Sequence, residues 1–195
     1  AILAINHVSY LDFAITGTAA LPAGRLVRFM AKKEIFDHKL AGPLMRGMHH
    51  ICVDRSNGSA SFVAALRALR AGEIVGIFPE GTISVSFEIK ELKSGAVRLA
   101  QGSGVPVIPT IIWGSQRLWT KKVKRNLLQR GVPISVTFGE PIYFERDSDV
   151  EAGEAFLRET MVKMLHEVQE KYPDSHQGQR WAPVRLGGIA PAPLN

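Results

Sequence analysis

Short runs of branched apolar residues alternate along the chain with longer stretches in which apolar residues recur at spacings of three and four. The runs cover 1–6, 26–31, 50–54, 74–78, 105–113 and 134–138. Their continuous apolar character predicts strands covered on both faces. The stretches 11–21, 33–48, 59–70 and 95–101 predict helices, and Gly72, Gly81, Gly104 and Gly131 fall between elements, where turns are expected. This alternation predicts an α/β fold, a mainly parallel central sheet with helices on both faces. The last helix spans 150–172, where Leu157, Met161, Met164, Leu165 and Val168 form one stripe. Glu151, Glu154, Glu159, Glu167 and Glu170 flank that stripe, so it reads as a core-packing face and not as a membrane-binding one. Residues 1–173 read as one domain without an internal repeat or linker, and 174–195, rich in Pro and Gly, as an irregular strap or loose end.

Composition sharpens the picture by exclusion. With 195 residues, 46% hydrophobic and 22% charged, the chain is long enough to bury a full core and is neither disordered nor fibrous. The single cysteine, Cys52, excludes an internal disulfide and a multi-cysteine zinc site. The most apolar stretch, 105–113, is far below the roughly 20 residues of a membrane-spanning helix. The chain opens directly on the strand-like run from Ala1, which reads as a core strand continuing from something upstream. The net charge of +6 is unevenly distributed: residues 1–139 carry 18 Lys and Arg against 8 Asp and Glu, whereas 140–174 carry 4 against 10. A basic N-terminal two-thirds points to an anionic partner.

Three segments at predicted strand ends carry chemistry. Asn6-His7 follows the first strand, and Asp12 lies five residues after His7. If His7 precedes a helix and Asp12 lies in its second turn, the carboxylate accepts from one ring nitrogen and the other is left as a base. Taken alone, the pair fits a polar capping cluster equally well. Phe78-Pro79-Glu80-Gly81-Thr82 ends another strand and reads either as a substrate-gripping turn or as a plain Pro-Gly connection. Asp54-Arg55 ends a third, where the arginine fork suits phosphate, although a surface ion pair explains it too. Lys93 opens the helix after the Phe78–Thr82 segment and adds a cation. Adjacent His49 and His50 lack a ligand partner at a useful spacing, and no Gly-x-Ser-x-Gly elbow or phosphate-binding glycine loop is present.

Taken together, these segments resemble the glycerolipid acyltransferases that act on glycerol 3-phosphate and 1-acylglycerol 3-phosphate. The Asn-His-x4-Asp motif is matched by Asn6, His7 and Asp12, the apolar run ending Asp-Arg by 51–55, Phe-Pro-Glu-Gly-Thr by 78–82, and the Val-Pro strand by 105–109. The resemblance implies a glycerol-3-phosphate acyltransferase-like fold. It also implies acyl transfer from acyl-CoA or acyl-carrier protein to a hydroxyl of lysophosphatidic acid, glycerol phosphate or a related lysophospholipid. His7 would be the base, Asp12 its orienting partner, and Glu80, Gly81 and Thr82 would position the acceptor, with nearby backbone amides opposing the oxyanion. Arg55 and Lys93 would hold phosphate. No cofactor or metal is implied, because the thioester is already activated. Many members carry arginine after Gly-Thr, where this chain has Ile83, and members normally have a membrane-associating helical segment ahead of the first motif. The implied location is peripheral, on the cytoplasmic side of a membrane. Residues 116–130, with Arg117, Lys121, Lys122, Lys124, Arg125 and Arg130 and no acid, suit an anionic surface.

Two other classes compete. A hydrolase using the same His–Asp pair needs a nucleophile, for which Ser9 and Ser84 are candidates. A non-catalytic module for anionic lipid or nucleic acid explains the charge but leaves His7, Asp12 and Glu80 without a role, and nucleic acid is not expected as a partner.

Overall fold

The computed structural model describes residues 1–54, 56 and 58–191. Among them six strands form one sheet: β1 (Ile2–Ile5), β2 (Val27–Lys32), β3 (Ile51–Val53), β4 (Ile74–Ile77), β5 (Val107–Trp113) and β6 (Ser135–Phe138). Their order across the sheet is β3-β2-β4-β1-β5-β6, parallel throughout except for the antiparallel edge strand β6. The helices are α1 (Asp12–Ala20), α2 (Lys33–Asp37), α3 (Ala41–Gly47), α4 (Gly58–Arg70), α5 (Gly95–Ser103) and α6 (Val150–Glu170). The predicted α/β class and mainly parallel sheet are therefore present.

Chain direction fixes where the crevice opens. From β1 the chain runs through α1 to β2 on one side, and from the neighbouring β4 it runs through α5 to β5 on the other. Right-handed crossovers in opposite directions put α1 and α5 on opposite faces. The carboxyl ends of β1 and β4 consequently border the point where the connections diverge, which is where open parallel sheets hold ligands. Both strands are central, and Ile2, Leu3, Ala4 and Ile5 of β1 are all buried.

Two expectations about the elements need correction, and the two readings of the C-terminal segment are resolved. The helix expected over 33–48 is two helices. Pro43 has no N–H and its ring clashes with the preceding turn, so a continuous helix cannot pass through it, and α3 restarts at Ala41 with Pro43 in its first turn. The chain folds back so tightly there that a Cβ on Gly42 would lie 2.1 Å from the Phe36 carbonyl oxygen. Asp12 is the first residue of α1 and does not lie in its second turn. Of the two readings of the C-terminal segment, residues 174–191 take the strap: Ala182 and Ala190 are buried, and the Trp181 carbonyl accepts from Gln116 Nε2 at 3.3 Å. The stripe on α6 packs as expected, with Leu157, Met161 and Leu165 buried against β5 and α5, each contributing about 1.5–3 kcal/mol. Asp149 caps this helix by accepting from the Ala152 amide at 2.7 Å.

Candidate active site

The site is built from the segments that leave β1, β4 and β5 at the same sheet edge. Asn6 extends β1 by one step: its side chain accepts from the Ile112 amide at 2.7 Å and donates to the Ile112 carbonyl at 3.1 Å, replacing a ladder bond to β5. This lets the backbone turn out of the sheet at His7. Asp12, fully buried, reaches back from the start of α1, and its Oδ2 accepts from the Val8 amide at 2.8 Å and the Ser9 amide at 2.7 Å. The same oxygen lies 3.0 Å from His7 Nδ1. A carboxylate accepts only, so this contact fixes the proton on Nδ1 and leaves Nε2 with the lone pair. The His7 side chain is 21% exposed, in contrast to the fully buried Asp12.

Glu80 holds the loop from the other side. Phe78 to Gly81 make a β-turn, closed by the Gly81 amide donating to the Phe78 carbonyl at 3.0 Å, with Pro79 at its second position. Gly81 has φ +69°, and the Lys93 side chain lies 3.1 Å from the place a Cβ would occupy. The turn aims Glu80 inward, where Oε1 accepts from the His7 amide at 2.8 Å and Oε2 from the Lys90 amide at 3.1 Å. Glu80 is 4% exposed. With both oxygens engaged by backbone amides, it positions the His7 backbone.

Burial pushes the Glu80 carboxyl up from 4.5 to about 7, against the two amide bonds and the Lys90 charge, which favour the carboxylate. A raised acid pKa means the folded state binds the proton more tightly. The resulting stability is complete below pH 4.5 and is lost as pH rises through about 7. Urea unfolding should show the advantage of wild type over Glu80→Gln shrinking by up to about 3 kcal/mol across that window. A pH-independent difference would show that Glu80 does not bind its proton this way.

An aromatic stack supports the imidazole. The His7 ring lies 4.2 Å from the Phe78 ring at 27°, and Phe78 lies 6.2 Å from Phe29 at 16°. Phe29 reaches this position because residue 76 is glycine: a Cβ there would lie 2.7 Å from the Phe29 ring.

Several contributors escaped the sequence reading. Ser115 donates to Asp12 Oδ1 at 2.7 Å, completing the carboxylate's bonds. Its signal was its position, directly after β5 and Gly114 at the same sheet edge as His7. The Trp119 carbonyl accepts from Ser9 Oγ at 2.6 Å and the Tyr10 amide at 3.1 Å, and Thr120 Oγ1 donates to the Val8 carbonyl at 2.6 Å. These contacts across about a hundred residues have no local signature. The rival nucleophiles are both spent. Ser9 is buried ahead of the helix, and Ser84, also buried, donates to the Glu88 carbonyl at 2.8 Å. The amides of His7, Val8, Ser9 and Gly81 are all engaged by protein acceptors, so none of these four serves as the oxyanion donor expected beside His7.

The remaining expected residues are placed as follows. Thr82 is half-buried on the crevice rim, and Lys93 is exposed with its side chain over Gly81. Arg55 lies outside the described residues. The strand before it, β3, is the sheet edge, three strand positions from β1. His50 Nδ1 accepts from the Phe29 amide at 3.1 Å, and no cluster of three metal-binding side chains occurs among the described residues. Arg117 is removed from the basic surface: it pairs with Asp174, donates to Tyr172 Oη at 3.0 Å and stacks 4.6 Å from the Trp181 ring.

Comparison with known proteins points in one direction. Residues 1–113 match the family profile described as Acyltransferase. A 1-acyl-sn-glycerol-3-phosphate acyltransferase of Bacillus subtilis (strain 168) is 31% identical over 173 residues, covering 87% of this chain and 81% of that protein. Another, of Limnanthes douglasii, is 34% identical over 172 residues, and there the match spans 57% of the relative's length. The crystal structure of the 1-acyl-sn-glycerophosphate (LPA) acyltransferase PlsC from Thermotoga maritima shares the fold, with a TM-score of 0.67 at 23% identity over 89% of this chain and 68% of that one.

Proposed function

The chain belongs to the acyltransferase family, and on that premise we propose that it moves a fatty acyl group from acyl-CoA or acyl-carrier protein to a hydroxyl of lysophosphatidic acid or a related phosphorylated acceptor. The observation that carries this reading is the His7 Nδ1–Asp12 Oδ2 contact of 3.0 Å at the divergence of β1 and β4. His7 Nε2 takes the proton of the acceptor hydroxyl as its oxygen attacks the thioester carbonyl. The tetrahedral adduct then collapses by breaking the C–S bond, and the thiolate recovers the proton from Nε2. Acceptor and donor alone balance the reaction, so the proposal includes no cofactor. Asp12 holds the ring and opposes the imidazolium charge, while Glu80 and Ser115 hold His7 and Asp12 in place.

Mass spectrometry of products from a panel of phosphorylated and unphosphorylated acceptors tests this. The expected product is the phosphorylated acceptor gaining one acyl group. Free fatty acid as the sole product would replace the transferase by a hydrolase.

No helix among the described residues is long and apolar enough to cross a membrane. We place the protein peripherally on an anionic cytoplasmic leaflet, supported by the exposed cations Lys124, Arg125 and Arg130 beside exposed Leu127 and Leu128. At about 1 kcal/mol per cation, neutralising these three should weaken binding to anionic vesicles on the order of a hundredfold. Vesicle sedimentation that is indifferent to salt and lipid charge would remove the assignment.

A further inference from the structure

Next to the His7 loop lies a pocket of about 150 Å³ whose cations are Lys90, Lys121 and Lys122. Its walls are the segments already tied to His7. The Ser84 amide donates to the His7 carbonyl at 2.8 Å, the Thr120 hydroxyl to the Val8 carbonyl, and Glu80 bridges the amides of His7 and Lys90. Thr82 adds a hydroxyl to the lining. Ile83, which follows the Gly-Thr pair, lines the same pocket and brings no charge. No carboxylate among the described residues forms a salt bridge with any of the three lysines, and the carboxyl whose charge acts on Lys90 is Glu80, buried beneath the loop, so the pocket is net positive.

We propose that this lysine pocket, and not an arginine after the Gly-Thr pair, receives the phosphomonoester of the acyl acceptor. The inference rests on the acyltransferase reading and specifies its acceptor site. A phosphomonoester carries close to two negative charges at neutral pH and three acceptor oxygens, so three ammonium groups can offset its charge and supply a donor to each oxygen. The pocket is well below the several hundred Å³ that enclose a drug-sized ligand and is of a size for a headgroup. The pocket wall and the His7 loop share a backbone hydrogen bond, so a phosphate seated there is next to the His7 loop.

The test compares wild type with the Lys121→Gln/Lys122→Gln double variant and with Lys90→Gln, using lysophosphatidic acid in neutral detergent micelles so that membrane charge plays no part. Each loss of a charge-assisted contact predicts a rise in acceptor KM of about tenfold or more, with donor KM unchanged and turnover of an unphosphorylated monoacylglycerol unaffected. An unchanged acceptor KM, an equal penalty on the monoacylglycerol, or a rise confined to the donor KM would each overturn the proposal. So would a rise produced by Arg55→Ala with none from the lysine variants. A titration with glycerol 3-phosphate followed by NMR gives a readout without turnover. Amide shifts at Thr82–Ser86 should appear in wild type and vanish in the double variant, and their persistence in the variant contradicts the assignment. Failure of wild type to acylate any acceptor would instead strike the transferase reading, leaving the titration to report on the pocket.

Discussion

His7→Ala lowers turnover by about 10²–10⁴, the loss expected when a positioned general base is removed. The variant should keep its fold, because His7 is partly exposed and its ring touches the protein chiefly through Phe78 and Asp12. Its backbone anchors to Glu80 and Ser84 do not involve the imidazole. Circular dichroism and steady-state kinetics on the same preparation check both halves of this expectation. Turnover within a few-fold of wild type would show that His7 is not the base.

Asp12→Asn is the more discriminating second substitution. The amide oxygen can still accept from the amides of Val8 and Ser9 and from His7 Nδ1, while the new NH2 group meets Ser115, whose hydroxyl can turn to accept. Geometry survives and charge does not. The imidazolium formed during reaction then lacks its counter-charge in a buried setting, so turnover should fall by about 10²–10³ with KM little changed. Stability should fall by only about 1–3 kcal/mol as charge-assisted bonds become neutral ones. Asp12→Ala differs in kind, since it strands two buried backbone donors and unravels the loop. An Asp12→Asn enzyme with wild-type turnover would reduce Asp12 to a structural cap.

The parts of this site that were legible in the sequence are those governed by local chemistry. Continuous apolar runs marked the strands, and His7 and Phe78–Thr82 stood out because each follows such a run directly, at the sheet edge where parallel strands present side chains. Parts governed by packing between distant segments were not legible. The inward direction of Glu80 is one such part, because the Phe78–Gly81 turn aims its side chain at two backbone amides on separate segments. Asp12 sits at the helix start because its carboxylate is needed by residues three and four positions earlier. Ser115 and Thr120 join the site across more than a hundred residues, which periodicity cannot show. Arg117, one of a basic run, proved to be tied down by Asp174 and Trp181, partners supplied by the C-terminal strap.

The central claim is that His7 activates the acceptor for direct attack, without an acyl-enzyme. Both serines near enough to compete donate their hydroxyls to main-chain carbonyls and lie buried. The most direct measurement is therefore rapid-mixing release of free thiol from acyl-CoA, with and without lysophosphatidic acid. The account predicts slow release from enzyme and acyl-CoA alone and a sharp acceleration on adding the acceptor. A stoichiometric burst of thiol without acceptor, together with an acylated peptide containing Ser9 or Ser84, would contradict it.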